Sequence, residues 1–492
     1  MAVFNLVNAA GVYKGRSIGL DGQELCNLYP EVSASEGAKN TYSLIGTPGL
    51  KLFKQIGTLS QGCRGLFTTA RDRLLMVIGS SLYEVYANGT STIRGTLNSH
   101  TGPVSFAEID KQRDPASAAV SHVMLADGVN GYILNTATNV FSTIVGDYYP
   151  GTSVISQNGF FIQNINNSNK FIYSNYLDGL TWEASLNYFA AESSPDNILS
   201  IFLINNQVWL MNSKSIEIWN YTGDADALWS RSGVGYINVG LAGRNAATLI
   251  NGNLYWIGAG INGQNVIWHS GPSYMPERVS TNAIEHIMGS MDKVDDCVCL
   301  SYQQEGHQFV IFNFISGNRT LCYDMSTELW HERGDMDVPK GINNRHRAMY
   351  LTNWQNNIMV GDDANNNLYT WDLDQKSDNG KAILRKRVAP HIHAERKRIS
   401  FNSLEIDMEL GVGLQSGQGS DPQVMLRMSN DGGYSYSPIN IWASAGKVGA
   451  RLSRVKFSKL GMSRDRVFEI SMTDPVKWVL INAFCSLTVQ GS

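Results

Sequence analysis

The chain has 492 residues, 43% of them apolar and 17% charged, with a formal net charge of −4. A chain of this length buries a large core without disulfide staples, as two to four domains or as one large all-β array with an appended domain. Its sparse charge suits a protein packed against other subunits.

Abundant glycine (47) and 49 Tyr, Trp and Phe residues fit aromatic strands joined by tight turns. The opening MAVFNLVNAAGVYKGRS (1–17) has no charged leader before an apolar run, so no secretory signal is expected. The cysteines Cys26, Cys63, Cys297, Cys299, Cys322 and Cys485 are scattered. Only Cys297 and Cys299 could share a strand face as half of a metal site, and no second pair completes it, so free core thiols in a reducing compartment are expected.

Period-two runs dominate from residue 62 onward: LLMVI (74–78), VWLM (208–211), NLYWI (253–257) and FVIFNF (309–314), each bounded by Gly, Asn, Asp or Ser. One pattern recurs. SLYEVYANGT (81–90), GYILNTATNVF (131–141), IEIWNYTG (216–223) with Leu228 and Trp229, LCYDMSTELWHER (321–333) and LYTWDLD (368–374) are each an apolar strand entering a polar turn, most with an aromatic return. Beats at roughly 40–60 residues predict a β-propeller. Blocks at about 62–97, 104–145, 152–190, 198–233, 245–280, 295–333 and 345–375 give six or seven blades. The one helical signal is STNAIEHIM (280–288), with a Ser/Thr cap and Ile284, Ile287 and Met288 on one face.

The character changes at KAILRKRVAPHIHAERKR (381–398). From Lys381 onward there are 16 Lys+Arg against 9 Asp+Glu, leaving 23 against 34 in the first 380 residues. The expected division is an N-terminal segment joining the propeller (1–60), a propeller-like platform (61–380) and a basic β-sandwich-like domain (381–492). In the last part GVGLQSGQGS (411–420) reads as a mobile hairpin tip, and VLINAFCSL (479–487) is too short to span a bilayer.

Candidate chemistry is thin. SNDGGYSY (429–436) follows an Asp-box pattern, in which Ser429, Asp431, Gly433 and Tyr436 build a turn and catalyse nothing. The pairs Asp295-Asp296 and Asp362-Asp363 are adjacent, so on a strand they face opposite ways, unlike glycosidase carboxylates. His391 and His393 could share a strand face, but no third ligand is indicated and the flanking bases repel a cation. No catalytic residue, metal or cofactor is expected. The basic residues Arg385, Lys386, Arg387, Arg396, Lys397, Arg398, Arg451, Arg454 and Lys456 are the candidate contact set. They would form a solvated surface, an interface with an acidic partner, or a contact to DNA phosphates.

Taken in order, NLYPE (27–31), GTPGL (46–50), SIEIWNYTG (215–223), STNAIEHI (280–287), CYDMST (322–327) with Trp330, LRMSNDGGY (426–434), RVKF (454–457) and FEI (468–470) resemble the tail hub, or nozzle, proteins of short-tailed bacteriophages. These are also called packaged-DNA stabilisation proteins. The resemblance implies a non-enzymatic virion tail component, assembled in the host bacterial cytoplasm as a homo-hexamer below the portal and adaptor. It would continue the channel for double-stranded DNA, help retain the genome without sequence readout, and dock tailspikes or fibres. The alternative is a propeller-type tail protein that binds or hydrolyses glycans.

Overall fold

In the computed structural model, residues 2–5, 12–33, 37–58, 61–111, 120–259, 265–271, 274–337 and 340–490 are described. The opening stretch 1–17 thus lies partly outside the described residues.

Seven antiparallel strand groups follow one another along the described chain, at 63–96, 105–143, 154–190, 198–237, 240–278, 298–333 and 348–372, the sixth continuing into a larger sheet. They settle the count at seven blades. Each second strand is an almost continuous apolar run because neighbouring blades cover both its faces: Leu74–Ile78 and Phe160–Asn164 are buried at every position. The turn from the first to the second strand is built alike in five blades. Asn158-Gly159, Asn205-Asn206, Asn251-Gly252, Glu305-Gly306 and Gln355-Asn356 each place two successive residues at positive φ, as a two-residue hairpin with right-twisted strands requires.

The beat at 321–333 is one of these units. Tyr323 pairs with Trp330 across the hairpin. The Trp330 ring is buried, 5.1 Å from the Tyr323 ring, and its Nε1 donates to the Val279 carbonyl. Trp330 is a packing residue. The helix forms where expected, over Asn282–Gly289, capped by the Thr281 hydroxyl and burying Ala283, Ile284, Ile287 and Met288.

The described strands before residue 56 reach both the propeller and the sandwich. Gly49–Gln55 pairs with Asn367–Asp372 and supplies the fourth strand of the seventh blade. The Trp354 Nε1 donates to the Asp72 carbonyl, fastening the seventh blade to the first. Leu28–Val32 and Tyr42–Gly46 form a sheet with Val479–Val489, Ile399–Met408 and Val455–Ser458. The facing sheet contains Arg385–Val388, Asp465–Met472, Gln423–Ser429 and Ile441–Ser444. Together they make a β-sandwich. Glu24–Cys26 joins it to the propeller, pairing antiparallel with Arg385–Val388 and, at Cys26 and Glu332, parallel with the last strand of the sixth blade. One apolar core accordingly runs from Trp256, Phe312 and Trp330 to Phe401, Phe468 and Trp478.

Candidate interaction surfaces

Of the nine basic candidates, three lie inside the chain. Arg385–Val388 is an interior strand, hydrogen-bonded along one edge to Glu24–Cys26 and along the other to Asp465–Met472, with Lys386 only partly covered. Arg385 and Arg387 have no exposed surface. Arg385 donates to the carbonyls of Asp474 and Lys376, and it fills the space beside Gly46, where an added Cβ would sit 2.7 Å from its Nε. Burial pushes its guanidinium down to about 10, with the Asp378 charge opposing. Asp378, buried in turn, is pushed up to about 7 despite the hydrogen bond it accepts from the Leu50 amide. Arg387 bonds to the Gln23 side chain and the Glu24 carbonyl. Lys386 pairs with Glu24 at 2.5 Å, and Lys14 pairs with the same carboxylate. Burial raises the Glu24 carboxyl, but the Lys386 and Lys14 charges outweigh it and hold the group at about 2. Arg385, Lys386 and Arg387 therefore brace the joint between propeller and sandwich, contrary to their reading as contact residues. Burial is decided by what packs over each face of the strand, and the linear charge run does not reveal that.

The remaining six are exposed, in two groups. Arg396, Lys397 and Arg398 stand just before Ile399–Met408, and Lys459 and Arg464 join them: the Lys459 amide donates to the Asn402 carbonyl and Arg464 Nε to the Arg396 carbonyl. Arg451 sits by the far end of the same strand, its stem against Gly411. Arg454 makes a two-point bond to Glu405 at 2.7 and 2.6 Å, and Lys456 lies opposite Glu405 in the ladder. Ten residues of strand span roughly 30 Å, which sets the separation of the two ends. The first group has exposed Met462 and Val489 beside it, and the second sits among exposed Ile441, Trp442, Val448 and Leu452. Those apolar residues escape a sequence reading because each is unexceptional alone.

The Gly-rich loop 411–420 is braced against this second group, with Gly411 accepting from the Gly449 amide and Leu414 donating to the Gly419 carbonyl. The Asp-box residues close a turn on themselves. Ser429 Oγ donates to Asp431, Gly433 N donates to Ser429 Oγ at 2.8 Å, and Ser435 gives Asp431 both its amide and its hydroxyl. Those Ser435 bonds, with that from Ser429, hold the Asp431 carboxyl at about 2. Tyr436 lies against the Arg427 guanidinium.

Three of the four paired acids have structural partners, and Asp295 is exposed. Asp296 accepts from the Ser316 amide and hydroxyl, Asp362 from the Ala364 amide and Asn365, and Asp363 from Arg345. His391 lies between Asp465, at 3.0 Å, and the Ile18 carbonyl, while His393 is exposed. All six cysteines are buried and free. Among the described residues no group of three His, Cys, Asp or Glu could hold a metal, and no helix is long and apolar enough to cross a membrane. Residues from all seven blades, among them Ser105, Ser153, Phe202, Ala247, Leu300 and Leu351, line a central cavity of about 230 Å³.

Among solved structures the chain shows distant likeness to several. The extracellular domain of a one-component system from B. thetaiotaomicron aligns with a TM-score of 0.44 at 9% identity, over 66% of this chain and 40% of that one. The WD40 domain of Neurospora crassa Pan2 gives 0.41 at 8%, over 67% and 95%. The computationally designed Ika8 protein gives 0.38 at 14%, over 71% and 100%. No curated protein matches the chain. Two family models do: bacteriophage P22 Gp10, beta-propeller, over residues 7–376, and bacteriophage P22 Gp10, beta-sandwich, over residues 385–488. With both parts matched in the order in which the blades and the sandwich occur, the chain belongs to the bacteriophage P22 Gp10 family, the tail hub or nozzle proteins of short-tailed phages.

Proposed function

We propose that this chain is the hexameric hub at the end of a short phage tail, assembled in the host cytoplasm. It sits below portal and adaptor, continues the DNA channel, helps retain the packaged genome, and offers tailspikes or fibres a platform. The observation that carries this reading is the match of both family models, which together cover nearly the whole chain. A ring of copies would form the DNA channel between them. The division at residue 381 belongs to the same proposal, with the exposed basic residues of the sandwich making protein or phosphate contacts.

The test is the mass and shape of the purified chain, alone and mixed with its portal–adaptor complex, by native mass spectrometry and electron microscopy. Six copies added to the end of that complex are expected. A chain that stays monomeric and ignores it overturns the proposal. Reversing Arg396, Lys397 and Arg398 to Glu is expected to impair docking or ring assembly while leaving the unfolding transition unchanged.

A further inference from the structure

The tip of the N-terminal arm is tied to the sandwich by one histidine. Tyr13 N donates to the Gln23 carbonyl, and Leu20 N and Asp21 N donate to the Ser17 carbonyl, so residues 13–23 form a closed arm with Ser17–Leu20 at its tip. The tip rests on the Asp-box turn. A Cβ added to Gly433 would lie 3.2 Å from Ile18 Cγ2, and one added to Gly432 would lie 3.8 Å from Gly19 Cα. Beside that contact His391, its side chain only 10% exposed, bridges the two parts. Its Nδ1 lies 3.0 Å from both Asp465 oxygens, and its Nε2 lies 3.1 Å from the Ile18 carbonyl.

A carboxylate and a carbonyl only accept, so both ring nitrogens have to donate, and the imidazolium alone carries two N–H groups. When one proton leaves, the carboxylate, as the stronger acceptor, keeps the N–H that remains. Nε2 then turns a lone pair toward the Ile18 carbonyl, and the tip loses its clasp. Histidine is the side chain that changes charge between about pH 5 and 8. The other charged groups nearby are engaged elsewhere or lie open. In the turn, Asp431 is bound by Ser429 and Ser435. In the arm, Lys14 pairs with Glu24 and Asp21 accepts from the Gln23 amide, while Arg16 is exposed. Beside Asp465, Arg466 donates to Asn430 and the Leu460 carbonyl, and Arg464 donates to the Arg396 carbonyl. His393 and Glu395, next along from His391, are exposed. We propose that His391 is a proton-operated latch, which clasps the arm tip to the sandwich when doubly protonated and releases it when neutral. Tyr13, Arg16 and Leu20 wall a cleft of about 540 Å³, with the helix Asn282–Gly289 opposite, so the latch also sets the width of that cleft.

The test follows hydrogen exchange over residues 13–23 in the full chain, corrected for the intrinsic effect of pH. Protection of the tip is expected to fall at least about tenfold between about pH 5.5 and pH 8.5. Asp465→Asn is the discriminating variant. Its amide can donate to Nδ1, which leaves the neutral ring free to give its one N–H to Ile18, so the tip is expected to stay protected at both pH values. His391→Ala is expected to exchange freely at both, with the denaturant midpoint of the parent. Nitrogen-15 spectra of labelled histidine, assigned by difference against a His391 variant, are expected to show both ring nitrogens protonated at the lower pH. A parent tip equally protected at both pH values overturns the latch. So does an Asp465→Asn chain whose protection falls with pH as the parent's does, an outcome that passes the response to another group such as His286 across the cleft. If His391→Ala does not fold, the parent and Asp465→Asn decide between these outcomes by themselves.

Discussion

Lys386 Nζ lies 2.5 Å from Glu24 Oε2, a carboxylate 362 residues away along the chain. The pair sits in the only strand pairing that carries the sixth blade's sheet into the sandwich among the described residues, and Lys14 adds a second cation to the same group. The joint between the two halves is thus partly electrostatic, and it titrates.

The Glu24 carboxyl is held at about 2 against an ordinary 4.5. A depressed folded-state value contributes stability that is full above the unfolded value and is lost as pH falls from about 4.5 toward 2. Glu24→Gln is expected to cost about 2–3 kcal/mol at pH 7, since Lys386 and Lys14 lose their partner in a partly covered site. The difference between variant and parent should shrink below pH 4. Denaturant unfolding of both proteins across pH 3–8 checks it, and a difference that does not vary with pH would contradict the ionic account.

Asp378 has the opposite sign. Its carboxyl is pushed up to about 7 from 3.8 by burial, so the folded chain prefers it protonated and loses stability as pH rises from about 4 to 7. Asp378→Asn keeps an acceptor for the Leu50 amide and cannot ionise. The variant is expected to gain on the parent by about 2–4 kcal/mol between pH 4 and pH 8, the size that a shift of about three units sets. Thermal melting of both proteins across that range reads it.

Closure of the propeller can be tested on one strand. Leu50 and Leu52 both lie in Gly49–Gln55, which completes the seventh blade, but Leu50 is buried against Tyr369 and Trp371 while Leu52 is exposed. Leu50→Ala is expected to cost about 2–4 kcal/mol by lost burial and the cavity left behind. Leu52→Ala is expected to change stability by under about 1 kcal/mol. Equal effects would mean that the strand is not seated in this register.

Burial pushes the thiols of Cys26, Cys63 and Cys322 up to about 12. A buried, protonated thiol is a poor nucleophile. The native chain is expected to take up no maleimide at neutral pH over minutes and, once unfolded, one equivalent for each of its six cysteines, as counted by intact mass. A thiol that reacts in the native chain would place that cysteine at the surface.

Much of this protein is legible in its residues because the signals are local. Alternation and apolar runs depend on neighbours one or two positions apart, and hairpin turns at Asn158-Gly159 or Glu305-Gly306 need two residues at positive φ. The beat at 321–333, the helix cap at Thr281 and the Asp431 turn are readable for that reason. The basic linker misleads for the complementary reason. A strand's charge run says that side chains alternate, and nothing about what packs on either face, so Arg385 and Arg387 look like surface until Lys376, Gly46 and Asp474 enclose the one and Gln23 meets the other.

By itself, then, the sequence determined an all-β chain of repeated blades followed by a smaller basic β part, and the order of motifs that marks its family. Only the tertiary structure decided that there are seven blades, that residues 49–55 close the last one, and that Glu24–Cys26 ties the sandwich to the propeller. It also decided that the exposed bases form two groups at opposite ends of one strand. Each of those facts depends on pairings between residues far apart in the chain. Such pairings are chosen by the shape and burial of the whole and leave no period in the chain to read.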